Sequence, residues 1–334
     1  MKTCAITENT KIVVTGGLGF IGSNFILHLY RKYPNCQIVN LDAEFVGSNK
    51  KNLEEIKGKK KYQYLKGNIN NKTLVEKLVK NCDVVFNFAA ESHVDRSIDQ
   101  PKPFFDSNIM GTYTILEAIR KHDKKLIHVS TDEVFGSLKS GSATEKYPFN
   151  PSSPYAASKA SAELLINSYF ITYGIDSTIT RCTNNYGPRQ FPEKLIPKTI
   201  LLAMNGKNIP VYGTGKNRRD WIFVSDHCEA ILQVFEKGKK GSSYNIAGHS
   251  EYDNNTIVKT ILKIMKKPTS LIKYVKDRPG HDFRYSLNTL KIQKEIGWKP
   301  SFTFEQGLDI TIRWYLNNKS WWQQIQQNKI GRTR

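Results

Sequence analysis

Three groups of residues in this sequence have the types and spacing to do chemistry. Thr131, Asp132 and Glu133 lie in the run STDEVFG (130–136), a hydroxyl followed by two adjacent carboxylic acids at the end of an apolar segment. Two carboxyls beside one pocket separate in pKa, and the more desolvated one stays protonated. One acid and one base is what elimination of water requires. Tyr155 and Lys159 stand four apart in SPYAASKA (153–160), so a phenol and an ammonium can face one side of a helix. The cation favours phenolate and lowers a pKa of about 10 toward the range of a general base. The third group is glycine-rich, GGLGFIG (16–22).

Those glycines lie between a short apolar strand, KIVVT (11–15), and a helical pattern that runs through Tyr30. In that position Gly16, Gly19 and Gly22 let the backbone approach a pyrophosphate, whose charge the helix amino terminus stabilises. The next strand, Gln37 to Leu41, ends in Asp42, where a carboxylate grips the adenosine ribose and repels a 2′-phosphate. With no arginine in the residues just after it, the pattern predicts NAD rather than NADP.

Positioning these groups takes a repeated strand–helix alternation. Strands are expected at 62–65, 83–88, 126–129 and 177–181, with helices at 73–80, 104–121 and 158–173. Each strand leads into a polar or glycine-bearing loop: Gly67-Asn68-Ile69, Ala89-Ala90-Glu91-Ser92-His93, the STDEVFG run, and Asn184-Asn185-Tyr186-Gly187. This predicts an α/β, Rossmann-type doubly wound parallel sheet with its unusual loops along one edge. Prolines loosen the alternation beyond residue 185. The expected division is a dinucleotide-binding domain over 1–185, with a returning segment near 221–248, a smaller α/β substrate-binding lobe over 186–322, and a frayed polar tail over 323–334.

The formal charge of +20 reads as a lysine-rich solvated surface, because the lysines are scattered and aromatics do not interleave with them. No nucleic-acid partner is expected. The five cysteines form no metal-ligand or disulfide pattern, so no metal is expected and a reducing, cytoplasmic setting is. The amino terminus lacks the apolar core of a signal peptide, and no apolar run approaches the roughly 18 residues of a bilayer span.

Over nearly its whole length the sequence resembles the dTDP-glucose 4,6-dehydratases of the extended short-chain dehydrogenase/reductase superfamily. The glycine loop, AAESHVDRSI (89–98), STDEVFG, SPYAASKA, NNYGPRQFPEKLIP (184–197), GKNRRDWIFV (215–224), YNIAGH (244–249) and DRPGHDFRY (277–285) carry the resemblance. It implies a redox-neutral cycle of deoxysugar biosynthesis. Tyr155, helped by Thr131 and Lys159, takes the proton of the glucose 4-hydroxyl as hydride passes to NAD. Glu133 then removes the C5 proton while Asp132 protonates the departing 6-hydroxyl, and hydride returns to C6. The implied NAD contacts are Gly16, Gly19, Phe20, Ile21, Gly22, Asp42, Asn68, Ile69, Ala89, Ala90, Ser107, Ser130, Tyr155, Lys159 and Asn185. The implied substrate contacts are Ser92, Thr131, Asn184, Lys194, Leu195, Pro210, Val211, Tyr212, Asn217, Arg219, Asn254, Arg278 and His281. The resemblance also implies a homodimer paired through helices beside the sheet.

The sequence departs from the family at Ala43–Asn49, at Asn68, where Asp is common, and at Arg189, where Tyr is frequent. Rival readings are a UDP-sugar 4,6-dehydratase, a 4-epimerase, a decarboxylase, or an NAD-sensing nucleic-acid-binding regulator. Asp132-Glu133 argues against the epimerase and decarboxylase, and the Tyr155/Lys159 pair against the regulator.

Overall fold

Of the chain's 334 residues, the computed structural model describes 6–277 and 279–330. The strands are β1 (Lys11–Thr15), β2 (Gln37–Asp42), β3 (Tyr62–Lys66), β4 (Val84–Asn87), β5 (Lys125–Thr131), β6 (Ser177–Cys182), β7 (Asn184–Tyr186), β8 (Ile209–Tyr212), β9 (Arg218–Phe223), β10 (Ser243–Ile246), β11 (Glu251–Asp253) and β12 (Ile272–Val275). The helices are α1 (Phe20–Lys32), α2 (Lys72–Lys80), α3 (Val94–Asp99), α4 (Lys102–Phe104), α5 (Gly111–His122), α6 (Pro154–Tyr173), α7 (Leu195–Met204), α8 (Val224–Lys237), α9 (Asn254–Ile264), α10 (Leu290–Ile296), α11 (Phe304–Asn317) and α12 (Lys319–Ile330).

Short, near-continuous apolar runs such as β1 and β4 suit strands covered on both faces, as in a parallel sheet. Seven of them form one, in the order β10-β6-β5-β4-β1-β2-β3. The order reverses between β1 and β4, and the crevice at the carboxyl ends of the strands there is where such sheets take ligands. Phe25, Ile26 and Leu29 of α1 pack with Ile231 and Phe235 of α8 over one face. Ile115 and Ile119 of α5 and Ile166 of α6 cover the other.

After β6 the chain leaves this sheet, and α8 and β10 bring it back. The excursion builds a second unit from the sheet β11-β9-β7, the pair β12-β8, and α7, α9, α11 and α12. Its core is aromatic, with Tyr186, Trp221, Phe304, Tyr315, Trp321 and Trp322 buried together.

Two expectations need correction. The helix expected over 104–121 is interrupted by a π-helical turn, Phe105–Met110. Asn108, within it, exchanges hydrogen bonds with the backbone of Glu91 and donates to Ser158 Oγ at 2.8 Å, tying the turn to the β4 loop and α6. The tail expected to fray from 323 instead continues α12 to Ile330. Trp321, Trp322 and Ile325 anchor it in the aromatic core, and Trp321 Nε1 donates to Asn52 Oδ1 at 2.7 Å; residues 331–334 of that expected tail lie outside the described residues. No helix among the described residues is long and apolar enough to cross a membrane.

Candidate active site

The glycine loop shows why its residues are glycines. Gly16 turns the chain at φ +70, and a Cβ there would sit 2.7 Å from the Ala89 backbone. At Gly22 a Cβ would run into the Gly16 carbonyl oxygen. Helix α1 starts from Gly19 without a side-chain cap, so its first amides, at Phe20, Ile21 and Gly22, and its positive dipole end suit an anion. At the end of β2, Asp42 Oδ2 accepts the Leu18 N–H at 2.9 Å, while Oδ1 accepts the Glu44 N–H and the Ser48 hydroxyl, both at 2.8 Å. A carboxylate has about four acceptor positions, so room remains for one further hydroxyl. Burial raises the Asp42 pKa, and those three bonds oppose it. The loop, the uncapped helix end and Asp42 together fit a dinucleotide.

The departures from the family also have definite structures. Glu44 takes a left-handed φ of 61, accepts from Tyr64 Oη at 2.5 Å and pairs with Lys50 at 2.8 Å, which hold its pKa down at about 2. Asn68 Oδ1 closes a turn by accepting the Asn70 N–H at 2.9 Å. Arg189 does not point at the cleft: its Nε donates to Asn52 O at 3.0 Å and its guanidinium lies over Trp314.

Strand β5 delivers the acid pair. It ends at Thr131, and Asp132–Phe135 forms a single 3₁₀ turn, so the acids escape the alternation of a strand. Thr131 Oγ1 accepts the Glu133 N–H at 3.3 Å and donates to Asp132 Oδ1 at 3.2 Å. Asp132 is 3% exposed, whereas Glu133 is only half-buried. Burial, and next the Glu133 charge, push the Asp132 pKa well up against the opposing pull of Arg219. Asp132 Oδ2 has no hydrogen-bond partner among the described residues. Burial and the unpartnered Oδ2 thus favour the protonated form of Asp132, a preference adjacency alone does not give.

Helix α6 delivers Tyr155 and Lys159. Ser153 Oγ caps it by accepting the Ala156 N–H at 3.1 Å, Pro154 occupies the first turn, and the Tyr155 N–H donates to Ser97 Oγ at 3.2 Å. Both side chains are buried. The expectation that Lys159 lowers the phenol is not met: burial, and after it the Glu133 charge, push Tyr155 well above its ordinary value, opposed by a hydrogen bond with Thr131. The Lys159 nitrogen donates to Val129 O at 2.7 Å and lies 3.2 Å from His128 Nε2. Burial pushes its own pKa down to about 8, with Glu163 pulling it up.

One cleft of about 350 Å³ joins these parts. Its walls carry Gly16, Gly19, Phe20, Ile21, Gly22 and Asp42, then Asn68, Ile69, Ala89, Ala90 and Ser107. Beyond them come Ser130, Thr131, Asp132, Glu133, Tyr155 and Lys159, and the far wall carries Ser92, Asn184, Asn185, Lys194 and Leu195. The loop after β4 and helix α3 touch the segment before α7: Arg96 donates to Glu193 at 3.0 Å, and the Lys194 ammonium donates to Ser92 O at 3.2 Å. Sequence reasoning passed over Cys182, Thr183, Gln190 and Trp221, which also line it. Ser130 Oγ, Thr183 Oγ1, Gln190 Oε1 and Trp221 Nε1 are, like Asp132 Oδ2, buried without a partner among the described residues. Buried polar atoms are rarely left so, and their concentration here marks a polar ligand's place.

The remaining expected substrate contacts are not among the residues that line this cleft. Pro210, Val211 and Tyr212 belong to β8, with Val211 in the core and the Tyr212 ring 6.4 Å from that of His281. His281 Nδ1 is 2.6 Å from Asp277. Asn217 Nδ2 donates to Asp282 O at 3.2 Å, and the Asn254 N–H donates to Asn217 O at 3.2 Å. Arg219 spends donors on the carbonyls of Arg218, Asp282 and Phe283 and stacks 4.3 Å from the Tyr285 ring centre. Arg278 lies outside the described residues.

Residues 13–311 match the family model described as GDP-mannose 4,6 dehydratase. A dTDP-glucose 4,6-dehydratase of Xanthomonas campestris pv. campestris (strain B100) is 45% identical over 335 residues, covering 94% of this chain and 95% of that one. The dTDP-glucose 4,6-dehydratase of Escherichia coli is 43% identical over 348 residues, covering 94% and 96%. A dTDP-glucose 4,6-dehydratase from Streptomyces venezuelae, solved with NAD and TYD bound, superimposes with a TM-score of 0.91 at 42% identity, covering 94% of this chain and 99% of that one. A UDP-glucose 4-epimerase from Thermotoga maritima, solved with UDP-glucose, superimposes with a TM-score of 0.86 at 26% identity, covering 93% and 100%. With the glycine loop, the acid turn and the Tyr155/Lys159 helix face meeting in one cleft, and with kinship of this extent, the chain belongs to the dTDP-glucose 4,6-dehydratase family.

Proposed function

We propose that this protein is an NAD-dependent hydro-lyase that converts dTDP-glucose to dTDP-4-keto-6-deoxyglucose and water. The observation that carries the reading is the inequality of Asp132 and Glu133: a buried acid, whose burial favours its protonated form, and a more exposed one share a cleft with Tyr155. Bound NAD, held by the glycine loop, the α1 amino terminus and Asp42, supplies reversible storage of a hydride between C4 and C6 of the sugar. Thr131 orients the 4-hydroxyl, and Tyr155 takes its proton as a phenolate, a form that the neighbouring Lys159 cation and the positive charge of the bound nicotinamide favour against the burial that holds the phenol protonated. Glu133 removes the C5 proton made acidic by the 4-ketone, and Asp132 gives its proton to the departing 6-hydroxyl. Both acids sit on one short turn, so proton removal and proton donation are aimed from one side.

Asn184, Lys194 and Leu195 on the cleft wall, with the cluster around Arg219, Asn217 and His281, hold the nucleotide diphosphate. The protein works as a homodimer: Tyr113 on α5 and Leu164, Ile171 and Tyr173 on α6 are exposed apolar residues on the helices that cover one sheet face, at 42%, 57%, 80% and 51%. Cys36, Cys82, Cys182 and Cys228 are free and buried, which supports a reducing, cytoplasmic setting.

The test is incubation of the protein with dTDP-, UDP-, CDP- and GDP-linked glucose in separate reactions. A product one water lighter, formed fastest from the dTDP sugar, is expected. A 4-epimer of unchanged mass, or no turnover of any of the four, overturns the reading.

A further inference from the structure

His128 is a fully buried histidine in β5 that the chemistry above does not use. Its Nε2 lies 3.2 Å from the Lys159 nitrogen and its Nδ1 lies 3.0 Å from the Asn87 side-chain amide. Behind Asn87, at the end of β4, the other end of that amide meets the Thr15 hydroxyl at 2.6 Å. Four side chains from β1, β4, β5 and α6 thus form one buried line that ends at the cleft.

Donor and acceptor accounting gives this line two complete arrangements. A neutral imidazole carries one ring proton, and burial together with the Lys159 charge opposes a second on His128. If Lys159 is an ammonium, Nε2 must accept from it, so Nδ1 is the protonated nitrogen and faces the Asn87 carbonyl oxygen. If Lys159 is an amine, Nε2–H donates to it, and Nδ1 accepts from the Asn87 NH₂, whose oxygen then accepts from Thr15. The two ends of an amide are alike in shape, so Asn87 serves either arrangement by turning over. In both, Lys159 keeps its bond to Val129 O and has one N–H left for the cleft.

We propose that His128, backed by Asn87 and Thr15, is a positioning residue for Lys159, holding its nitrogen in place in both charge states by exchanging ring tautomer. As pH rises the pair loses one proton to water. The acid form is ammonium with Nδ1–H imidazole, and the basic form is amine with Nε2–H imidazole. The other groups that bear on Lys159 are Tyr155 and Glu163 on its own helix, Cys182 and Arg181 on β6, and Asp132 and Glu133 after β5. Glu163 is bonded to Arg181, and burial holds the Cys182 thiol protonated. His128 is therefore left as the neutral side chain that can follow Lys159.

The first test needs neither substrate nor cofactor: ring nitrogen shifts of ¹⁵N-histidine-labelled protein, followed over roughly pH 6.5–9.5, with H128Q identifying the signals. The expected result is a switch from Nδ1–H to Nε2–H with a midpoint near the Lys159 pKa of about 8, absent in Lys159→Met. A single tautomer across the range, or a switch that persists in Lys159→Met, overturns the proposal. The kinetic test rests on the dehydratase reading and follows reduced nicotinamide in the first turnover. H128F, which loses the acceptor, should move the pH at which the rate changes down by about one unit, tenfold in the dissociation constant. H128Q should restore part of the shift, and the KM for the nucleotide sugar should change less than kcat. An unmoved profile in folded H128F counts against the role, and if H128F does not fold, the tautomer measurement on the unmodified protein decides.

Discussion

Arg181 and Glu163 form an ion pair whose side chains are only 3% and 0% exposed, one turn beyond Lys159 along α6. Arg181 Nε donates to Glu163 Oε2 at 2.8 Å and Nη2 donates to the same oxygen at 2.6 Å. Arg181 Nη1 reaches Glu145 O at 3.1 Å, and the guanidinium lies 5.0 Å from the Phe135 ring centre. Glu163→Gln would leave a buried guanidinium without its counter-charge, which costs about 3–5 kcal/mol. For a chain of this size that lowers Tm by roughly 4–7 °C. Glu163→Met with Arg181→Met removes both charges together and should cost much less than the two single changes added, because neither ion is left stranded. The assay is a double-mutant cycle by urea denaturation, with thermal melting alongside. Single variants that each cost under about 1 kcal/mol, or costs that add, would refute the reasoning. Because Glu163 also holds up the Lys159 pKa, Glu163→Gln should shift the pH dependence of the first oxidation downward even at temperatures where it stays folded.

Glu133→Gln should still bind NAD and the nucleotide sugar while loss of water slows by about 10²–10⁴-fold, read by product mass after one turnover; near-normal dehydration would remove Glu133 from its role. Asp132→Asn should flatten the pH dependence of stability. With its folded pKa raised, Asp132 contributes stability that is intact below the ordinary carboxyl value of about 3.9 and is lost as pH rises through the folded value. Denaturation midpoints of wild type and variant at mildly acidic and neutral pH check this, and an unchanged slope in the variant contradicts it. Gly22→Ala, which drives a methyl into the Gly16 carbonyl, should cost about 1–3 kcal/mol and weaken NAD binding in a fluorescence titration.

The glycine loop, Asp42 and the Tyr155/Lys159 spacing were legible in the sequence because each depends on neighbours within one strand–turn–helix unit. The acid pair and the separation of its two pKa values were legible, but adjacency did not say which acid is buried, since that follows from where β5 stops and the 3₁₀ turn begins. Glu163 had a signal that went unused: it falls on the face of α6 already marked by Tyr155 and Lys159, one further turn along. His128 interrupts an apolar strand and could have been flagged as a buried polar residue, but its partners come from β4 and α6. The direction of the Tyr155 shift was misjudged because helical spacing gives proximity to a cation and says nothing of burial or of two acids arriving from another strand. The helical tail was missed because its polar residues outweigh three apolar anchors that find their core only through α11.

The 3₁₀ turn after β5 has a consequence for how such a protein changes over evolutionary time. It is a four-residue unit hooked at one end to the Thr131 side chain and at the other to Gly136, where any side chain would strike the Asn150 carbonyl. The groups proposed for water removal ride on that unit, while those proposed for oxidation ride on α6 and the glycine loop. Substitution within the turn can therefore alter which proton transfers follow the oxidation while leaving the backbone that carries Tyr155, Lys159 and the glycine loop in place, and it reaches the oxidation only through Thr131 and the Glu133 charge beside Tyr155.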